Sequence, residues 1–434
     1  MEYSGLILLG VFLLLLVLHV PISFSIGLAT LVTMLLSIDF MPALTTLAQR
    51  MVDGLNSFAL LAIPFFVLSG VIMGRGGIAR RLIDFAMAYI GMLPGGLALV
   101  NVAACTLFGG ISGSAVATTS AIGSFMIPEM EKKGYDRHFA TAVTTASATT
   151  GMVIPPSNIL IIFAIASGGV SISALFVAGY LPGILVSLAL MTVCAIFAKT
   201  RGYPVIAALP ISEVVKRTWS ALPALVLIVL VMGGIISGIF TATEAGAIAV
   251  VYSLILAMGV YRQIGRQELS SVLLKTAEVT SIVMMLIAVS SAMSWILAYE
   301  NIPEVITQVL LGISDNPIII LLIINLMLLF VGAFMDMTPA VLIFTPILLP
   351  VAESLGMTPL HFGIMLVMNL SIGLCSPPVG SVLFVGCSVG KTSIAKVIPP
   401  LLPLYAAMFF VLMIVTYVPG VSEWLPTMAG LYNQ

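Results

Sequence analysis

A Pro-Pro pair interrupts an apolar stretch of this chain at Pro155-Pro156, and the same pair recurs 222 positions further along at Pro377-Pro378. Each pair stands four residues after a glycine, Gly151 in the first case and Gly373 in the second. Because proline lacks a backbone donor and fixes φ, an α-helix must open at each pair. The pattern therefore predicts two related helices, each broken in its middle.

The composition places both breaks inside a membrane. Hydrophobic residues make up 61% of the chain, charged residues make up only 8%, and the mean hydropathy is +1.23. A soluble domain carries about 25% charged residues. A spanning helix needs about 20 apolar residues, and the chain contains about ten such stretches. The sequence predicts an all-α polytopic membrane protein in a lipid bilayer.

Charge and cysteine content exclude other classes. The formal net charge of −1 gives no support for nucleic-acid binding. The four cysteines lie in apolar segments without CxxC spacing, which is typical of small buried hydrophobic residues rather than metal ligands or disulfides.

Apolar periodicity and the placement of lysine and arginine divide the chain into two halves of matching element order. The first half is predicted to contain scaffold helices at 1–77, an amphipathic arm at 78–95, a hairpin and a broken helix at 96–173, and a connecting helix with a cytoplasmic loop at 174–218. The second is predicted to contain scaffold helices at 219–299, an amphipathic arm at 300–316, a hairpin and a broken helix at 317–396, and a terminal helix with a tail at 397–434. The predicted helices within these units lie near 5–20, 21–38, 58–74, 174–198, 219–239, 242–261, 276–299 and 397–418. Between two of them, the segment 39–57 has Arg50 as its only basic residue.

The basic residues indicate that the two halves have opposite orientations. Loop 131–138 is basic and its counterpart 353–361 has no lysine or arginine, whereas loop 168–173 is uncharged and its counterpart 390–396 is basic. Segment 96–130 begins and ends on the basic side, so it is predicted to be a re-entrant hairpin, interrupted at Gly109–Ser114. Its counterpart at 317–352 is predicted to be interrupted at Gly332–Pro339. The expected architecture is an inverted-topology repeat with about ten spans, two re-entrant hairpins and two broken helices.

Residue identity across the repeat is sparse but concentrated. At the 222 offset, eleven of the 65 positions from 108 to 172 match, and most of the matches are glycine, proline or glutamate. The matches include Gly110 with Gly332 and Gly151 with Gly373.

The breaks supply the chemistry expected of a secondary transporter. A broken helix exposes free carbonyl groups at one cut end and a positive half-dipole at the other. Carbonyl and hydroxyl oxygens suit an alkali cation, and helix N-termini favour carboxylates. The alternative for each hydroxyl is a bond to its own helix or to a neighbouring one. The predicted sodium ligands are Ser112, Ser114, Gly151, Gly332, Met335, Thr338, Gly373 and Ser376, and the predicted substrate residues are Thr150, Ser157, Asn158 and Asp336.

Asp336 is the carboxylate that the sequence places at membrane depth near a predicted break. A charge there costs about 2.5–3.5 kcal/mol on insertion scales, which points to a functional role. The alternative is that Asp336 caps the helix that follows it. For Glu244, which stands at a predicted helix start after Thr241, capping is the favoured role.

Several motifs together resemble the large membrane subunit of TRAP (tripartite ATP-independent periplasmic) transporters, the DctM-like proteins of bacteria and archaea. The motifs that carry the resemblance are Phe108–Ala115, Ile127–Tyr135, Gly151–Ser157, Gly238–Ala245 and Gly373–Gly380. They occur in order along essentially the whole chain.

The resemblance implies an elevator-type carrier of the bacterial inner membrane, in which scaffold helices hold a moving body of hairpins and broken helices. It also implies sodium as the coupling ion, a small four-helix membrane subunit, which is expected here as a separate chain, and a periplasmic protein that delivers an organic acid. The choice of acid does not follow, because the family transports C4-dicarboxylates, sialic acids and other acids.

Single features of the sequence are also compatible with two other functions. Gly110–Gly113 matches the GxSG of rhomboid-type intramembrane serine proteases, with Ser112 as the nucleophile, but none of the three histidines falls in the middle of a predicted helix. A sodium/proton antiporter would be expected to concentrate intramembrane carboxylates, whereas hydroxyl groups dominate here. Sodium-coupled symport of an organic acid explains the duplicated breaks best.

Overall fold

The fold is known from a computed structural model, which describes residues 4–204, 209–314, 316–377 and 380–432. Regular structure in these residues is helical throughout. Pro378 of the second break and Asp315 of the second arm segment lie outside the described residues.

The first half begins with scaffold helices and an arm. The helices are α1 (Ser4–Val17), α2 (Ile22–Ser37), α3 (Phe40–Leu55), α4 (Ala62–Arg75), which a 3₁₀ turn at Phe58–Leu61 precedes, and α5 (Ile78–Ile90). Helix α3 was not predicted, because its sequence lacks a long apolar run. Ala43 is its only buried residue, so few of its positions need to be apolar. The predicted arm at 78–95 corresponds to α5, which packs on α11 through an ion pair between Asp84 and Arg217 (3.7 Å).

The first hairpin and broken helix follow. They consist of α6 (Gly96–Ser112), α7 (Ala115–Lys132), α8 (Arg137–Ala148), a 3₁₀ turn at Thr149–Met152, α9 (Asn158–Ala166) and the connecting helix α10 (Ile172–Arg201). The hairpin opens only at Gly113-Ser114, so the predicted interruption at Gly109–Ser114 was too wide. Glycine alone does not end a helix, and Gly109 and Gly110 remain inside α6.

The second half begins with three helices and an arm, without a counterpart, among the described residues, for each of the four helices that precede α5. They are α11 (Ile211–Ile236), α12 (Ala242–Leu254), which continues as a π-helical turn at Ile255–Val260, α13 (Arg266–Tyr299) and the arm helix α14 (Ile302–Ile313). Helices α11 and α13 start eight and ten residues earlier than predicted, because their charged first turns fall outside the apolar pattern. Glu244 forms the expected capping box with Thr241.

The chain ends with the second hairpin, the second broken helix and two further helices. These are α15 (Pro317–Phe334), α16 (Met337–Ser354), α17 (Pro359–Gly373), α18 (Ser381–Val389), α19 (Ile394–Tyr417) and α20 (Gly420–Met428). The hairpin opens only at Met335-Asp336, which is narrower than the predicted Gly332–Pro339. The predicted tail contains α20, which packs on α10.

Eight helices of the described chain are long and apolar enough to cross a membrane, and α15 and α16 of the second hairpin are among them. The prediction of about ten spans also counted α1, α2 and the two broken helices, whose separate pieces are shorter.

Contacts between loops agree with the inverted arrangement. The basic loops meet, since Arg137 Nε donates to the carbonyl oxygen of Gly390 (2.6 Å) and His138 Nδ1 lies 2.7 Å from Thr392 Oγ1. The loop before α17 meets α20 instead, through a hydrogen bond from Thr358 Oγ1 to Glu423 Oε1 (2.5 Å). Lysine and arginine are thus concentrated at one end of the molecule, which the positive-inside rule places in the cytoplasm.

This orientation can be tested by cysteine labelling in intact cells. A cysteine at Lys132 should react only after the membrane is made permeable, whereas a cysteine at Ser354 should react with an impermeant reagent added outside. The four native cysteines are buried, so their background should be low. Labelling of both positions from the same side would contradict the inverted repeat.

Candidate substrate and ion site

The tip of the first hairpin lies against the start of α9. Gly113 takes the left-handed conformation (φ +60°), and a Cβ atom placed on it would lie 3.4 Å from Asn158 Nδ2. Ser114 caps α7 by accepting the backbone N–H of Ala117 (3.3 Å). Ser112 Oγ lies 3.1 Å from Thr118 Oγ1. The predicted residues Ser112, Ser114 and Asn158 are therefore brought together.

The first break is a compact turn whose hydroxyl groups already have partners. Ser157 Oγ donates to the carbonyl oxygen of Met152 (2.6 Å), and Thr150 Oγ1 donates to that of Ser147 (2.7 Å). Thr150 Oγ1 also lies 3.2 Å from Thr106 Oγ1 on α6. Thr150 is almost fully buried and is joined to α6, so it lies away from the hairpin tip.

Unpartnered oxygen atoms occur where the second halves of the broken helices begin. Asn158 and Ser381 are the first residues of α9 and α18, and neither Asn158 Oδ1 nor Ser381 Oγ has a partner among the described residues. Both atoms are shielded from the surface. The N and O atoms of an amide are interchangeable in such assignments, and a hydroxyl can donate, so both side chains can serve a carboxylate.

In each half, the hairpin contacts its own break through two glycines. A Cβ atom placed on Gly151 would lie 2.3 Å from the Cα atom of Gly109, and one placed on Gly373 would lie 2.6 Å from the Cα atom of Gly332. Real Cβ atoms essentially never come this close, so neither backbone tolerates a side chain. The structural counterpart of Gly332 is therefore Gly109, and the sequence pairing of Gly332 with Gly110 was wrong by one residue.

The described residues on either side of the second break are bonded to each other through the backbone. The N–H of Gly380 donates to the carbonyl oxygen of Ser376 (3.0 Å), and that of Val382 donates to the carbonyl oxygen of Leu374 (3.2 Å). The Ser376 hydroxyl contacts the hydroxyl of Tyr405 on α19. Tyr405 was missed, because a tyrosine in a terminal apolar helix carries no motif.

The second hairpin tip consists of Met335 and Asp336. Asp336 is the N-cap of α16 and lies on the surface of the chain. Met335 and Thr338 beside it are half-buried. A hydrogen bond joins Asp336 to the backbone N–H of Met337, the first residue of α16, so the functional role and the capping role of Asp336 both stay predictions.

The two halves pack crosswise into one body. Helix α16 of the second hairpin packs on α9, and α7 of the first hairpin packs on α18. The rings of Phe163 and Phe362 join α9 to α17, with their centroids 6.2 Å apart. Crosswise packing brings both hairpin tips and both breaks into the same body.

The described residues contain no cluster of three histidine, cysteine, aspartate or glutamate side chains that could hold a metal ion. Ligands for a cation would therefore come from carbonyl and hydroxyl oxygens. Ser112 has no histidine among its hydrogen-bond partners. His361 is buried and lies 2.6 Å from the carbonyl oxygen of Val415, so its imidazole is engaged elsewhere.

Comparisons with known proteins agree with this architecture. Residues 9–421 match the family model described as the DctM component of the tripartite ATP-independent periplasmic transporter. The chain is 52% identical to protein YgiK of Salmonella typhimurium over 426 residues, covering 98% of each chain. It is 39% identical to the C4-dicarboxylate TRAP transporter large permease protein DctM of Vibrio cholerae, covering 94% of each chain. It is 38% identical to the sialic acid TRAP transporter large permease protein SiaM of the same organism, covering 89% of this chain and 90% of that one.

A solved structure supports the fold. The YdaH transporter of Alcanivorax borkumensis, described as having an unusual topology, superposes with a TM-score of 0.66 over 92% of this chain and 91% of its own, at 13% identity. The family match covers nearly the whole chain, and the relatives in it are transporter permeases rather than enzymes. This protein belongs to the DctM family, the large membrane permeases of the TRAP transporters.

Proposed function

We propose that the chain couples inward sodium movement to the uptake of an organic carboxylate across the bacterial inner membrane. The observation that carries this proposal is the pair of inverted units, each made of a hairpin tip pressed against a broken helix by two glycines. The remaining residues are assigned by the chemistry that each unit offers.

Sodium would bind at the hairpin tips. Carbonyl oxygens of Gly151, Gly332, Met335 and Gly373, with hydroxyls of Ser112, Ser114, Thr338 and Ser376, are hard oxygen ligands of the kind that alkali cations prefer. Ser112 and Ser114 flank the open Gly113 turn, and Thr338 follows the Met335-Asp336 opening.

The substrate carboxylate would bind at the N-termini of α9 and α18. Each of these helices presents its positive dipole end at a break, and Asn158 and Ser381 add side-chain donors there. Ser157 and Asp336 would border the same space. Thr150 would not contact the substrate directly. It would position the first break by holding it against α6.

The transport cycle would be an elevator movement. The two hairpins and two broken helices, which pack crosswise into one body, would move together against the scaffold helices α1–α4 and α11–α13. A periplasmic binding protein would deliver the acid, and a separate small four-helix subunit would complete the membrane complex. The relatives bear the names of different acids, so the delivering protein is expected to decide much of the substrate choice.

The test of this function is uptake into proteoliposomes. The chain, its small subunit and its binding protein should accumulate a labelled organic acid when a sodium gradient is imposed. Accumulation driven by a proton gradient in the absence of sodium would overturn the coupling. A sodium/proton exchange that needs no organic acid would favour the antiporter.

Substitution of Thr338 by alanine tests the cation assignment. The variant should require about fivefold more sodium for half-maximal uptake, because one neutral oxygen ligand contributes about 1 kcal/mol. Thr192→Ala is the matched control, since Thr192 is exposed and bonds only to the Leu188 carbonyl oxygen of its own helix. An unchanged sodium dependence of Thr338→Ala would remove this residue from the ion site.

Substitution of Asn158 or Ser381 by alanine tests the carboxylate assignment. Loss of a hydrogen bond to a charged group costs about 1.5–3 kcal/mol, which should raise KM for the acid by about tenfold or more. The sodium dependence should stay the same. Equal shifts in sodium and acid dependence would indicate a structural defect instead.

A further inference from the structure

A cleft at the basic end of the molecule takes no part in the proposed transport site. It has a volume of about 650 Å³ and lies between the start of α8, one face of α18 and the first turn of α19. Its basic lining groups are Lys391, Lys396 and His138, and no aspartate or glutamate is among its described lining residues. The cleft is therefore suited to an anion.

Loop 168–173 of the first half is the counterpart of loop 390–396, which lines the cleft, and the two loops differ in backbone conformation and capping. In loop 168–173, Gly168 takes the left-handed position (φ +87°), and Ser171 caps α10 by accepting the N–H of Ala174 (3.3 Å). In the second half the left-handed residue is Lys391 (φ +47°), and Ser393 makes no side-chain capping bond at the start of α19.

Each of these differences between the two loops favours the binding of an anion at the second one. A lysine in the left-handed region is strained compared with glycine, and such outliers cluster at functional sites. Lys396 replaces Ala174 of the first half, so the second loop has gained two positive charges where the first has none. The uncapped N-terminus of the 24-residue helix α19 adds its positive dipole end beside them.

The cleft also has an apolar wall. Phe384 on α18 lines it and is 48% exposed, although it is a large hydrophobic residue in an apolar helix. Basic groups at one end of a cleft and an exposed phenyl ring at the other match the two parts of a phospholipid, its charged headgroup and its acyl chains. A free phosphate ion would use only the first.

We propose that this cleft binds the phosphate headgroup of an anionic phospholipid from the cytoplasmic leaflet. The cytoplasmic side follows from the concentration of basic loops at this end. His138 comes from the first half and both lysines from the second, and the Arg137–Gly390 bond joins the same two loops. A bound headgroup would thus hold together the two halves of the crossed body.

The test compares lipid binding by the purified full chain and two double variants. Native mass spectrometry in detergent would measure the binding of phosphatidylglycerol, with phosphatidylcholine, a zwitterionic lipid of zero net charge, as the reference. Lys391→Gln with Lys396→Gln should weaken phosphatidylglycerol binding about 30-fold, because two lysine contacts to the phosphate are lost. Lys132→Gln with Lys199→Gln, an equal change of charge at exposed positions on the same side, should leave it unchanged.

A second variant separates binding from folding. Lys391→Gly restores the residue that the first half has at this position, so the lipid-free melting temperature should be retained or raised. The stabilisation that phosphatidylglycerol gives the wild-type chain should be reduced. Equal lipid binding by all variants would overturn the proposal, and competition by millimolar inorganic phosphate would show that the cleft takes a free anion rather than a lipid.

Discussion

Gly151→Ala and Gly373→Ala are each expected to abolish uptake of the acid. The added methyl group would lie 2.3 Å from the Cα atom of Gly109 in the first case and 2.6 Å from that of Gly332 in the second. Both contacts are with backbone, which cannot turn aside as a side chain can. Overpacking of this kind costs about 1–3 kcal/mol when neighbours relax, and the relaxation here would separate a hairpin tip from its break.

The measurement is initial uptake rate in proteoliposomes, together with the amount of chain that is correctly inserted. We expect uptake to decrease by about 100-fold or more, since a misplacement of about 1 Å at a working site costs that much. Gly233→Ala on α11 is the matched control, because nothing lies within 4 Å of its added Cβ atom. Normal uptake by either variant would show that the glycine contact does not position the site.

The symmetry of the two contacts makes the prediction stronger. If one unit held both sodium and substrate, only one of the two substitutions would abolish uptake. If each unit contributes ligands, as proposed, both substitutions should abolish it.

The architecture could be predicted from the sequence because the bilayer restricts the choices. Apolar length indicates where helices cross, basic loops indicate orientation, and a Pro-Pro pair inside an apolar stretch has few explanations other than a broken helix. The ends of helices were less predictable. Helix α13 begins at Arg266, ten residues before the predicted start, since its first turns bear charges and lie outside the apolar pattern.

The site was predictable only as a region. The tips and breaks were identified, but the orientation of a hydroxyl depends on tertiary contacts that a sequence pattern does not contain. Thr150 illustrates this, because its hydroxyl faces Thr106 on α6 and not the hairpin tip. The glycine contacts were missed for the same reason. The 222 offset made Gly110 the counterpart of Gly332, whereas the contacts in the structure make Gly109 its counterpart.

The second large effect is expected where α4 contacts the end of the first hairpin helix, across which the proposed elevator movement would occur. A Cβ atom placed on Gly70 of α4 would lie 2.7 Å from the carbonyl oxygen of Ser112, at the end of the first hairpin helix. Ser69 beside it bonds to the carbonyl oxygen of Ala249 on α12 (3.3 Å) and lies 2.9 Å from Ser253 Oγ. These bonds fix α4 to α12 beside Gly70. The end of the first hairpin helix contacts the backbone of α4 at Gly70, which has no side chain.

Gly70→Val should disfavour the arrangement seen here. The hairpins and broken helices should then shift toward the proposed state that faces the opposite side of the membrane. Overpacking by the valine costs about 1–3 kcal/mol, which changes the ratio of two conformational states by about 5- to 150-fold. Uptake should decrease by about tenfold or more, while acid binding to the chain, measured by its thermal stabilisation, should persist.

Gly74→Val is the control, because Gly74 lies one turn further along the same helix and nothing lies within 4 Å of its added Cβ atom. A cysteine introduced at Ser114, on the half-buried hairpin tip, reports the state directly. Its labelling from the two sides of the membrane should change in Gly70→Val and stay as in the wild type in Gly74→Val. If both variants transport alike, the body does not slide past α4 at this glycine, and the elevator movement would have to use a different contact surface.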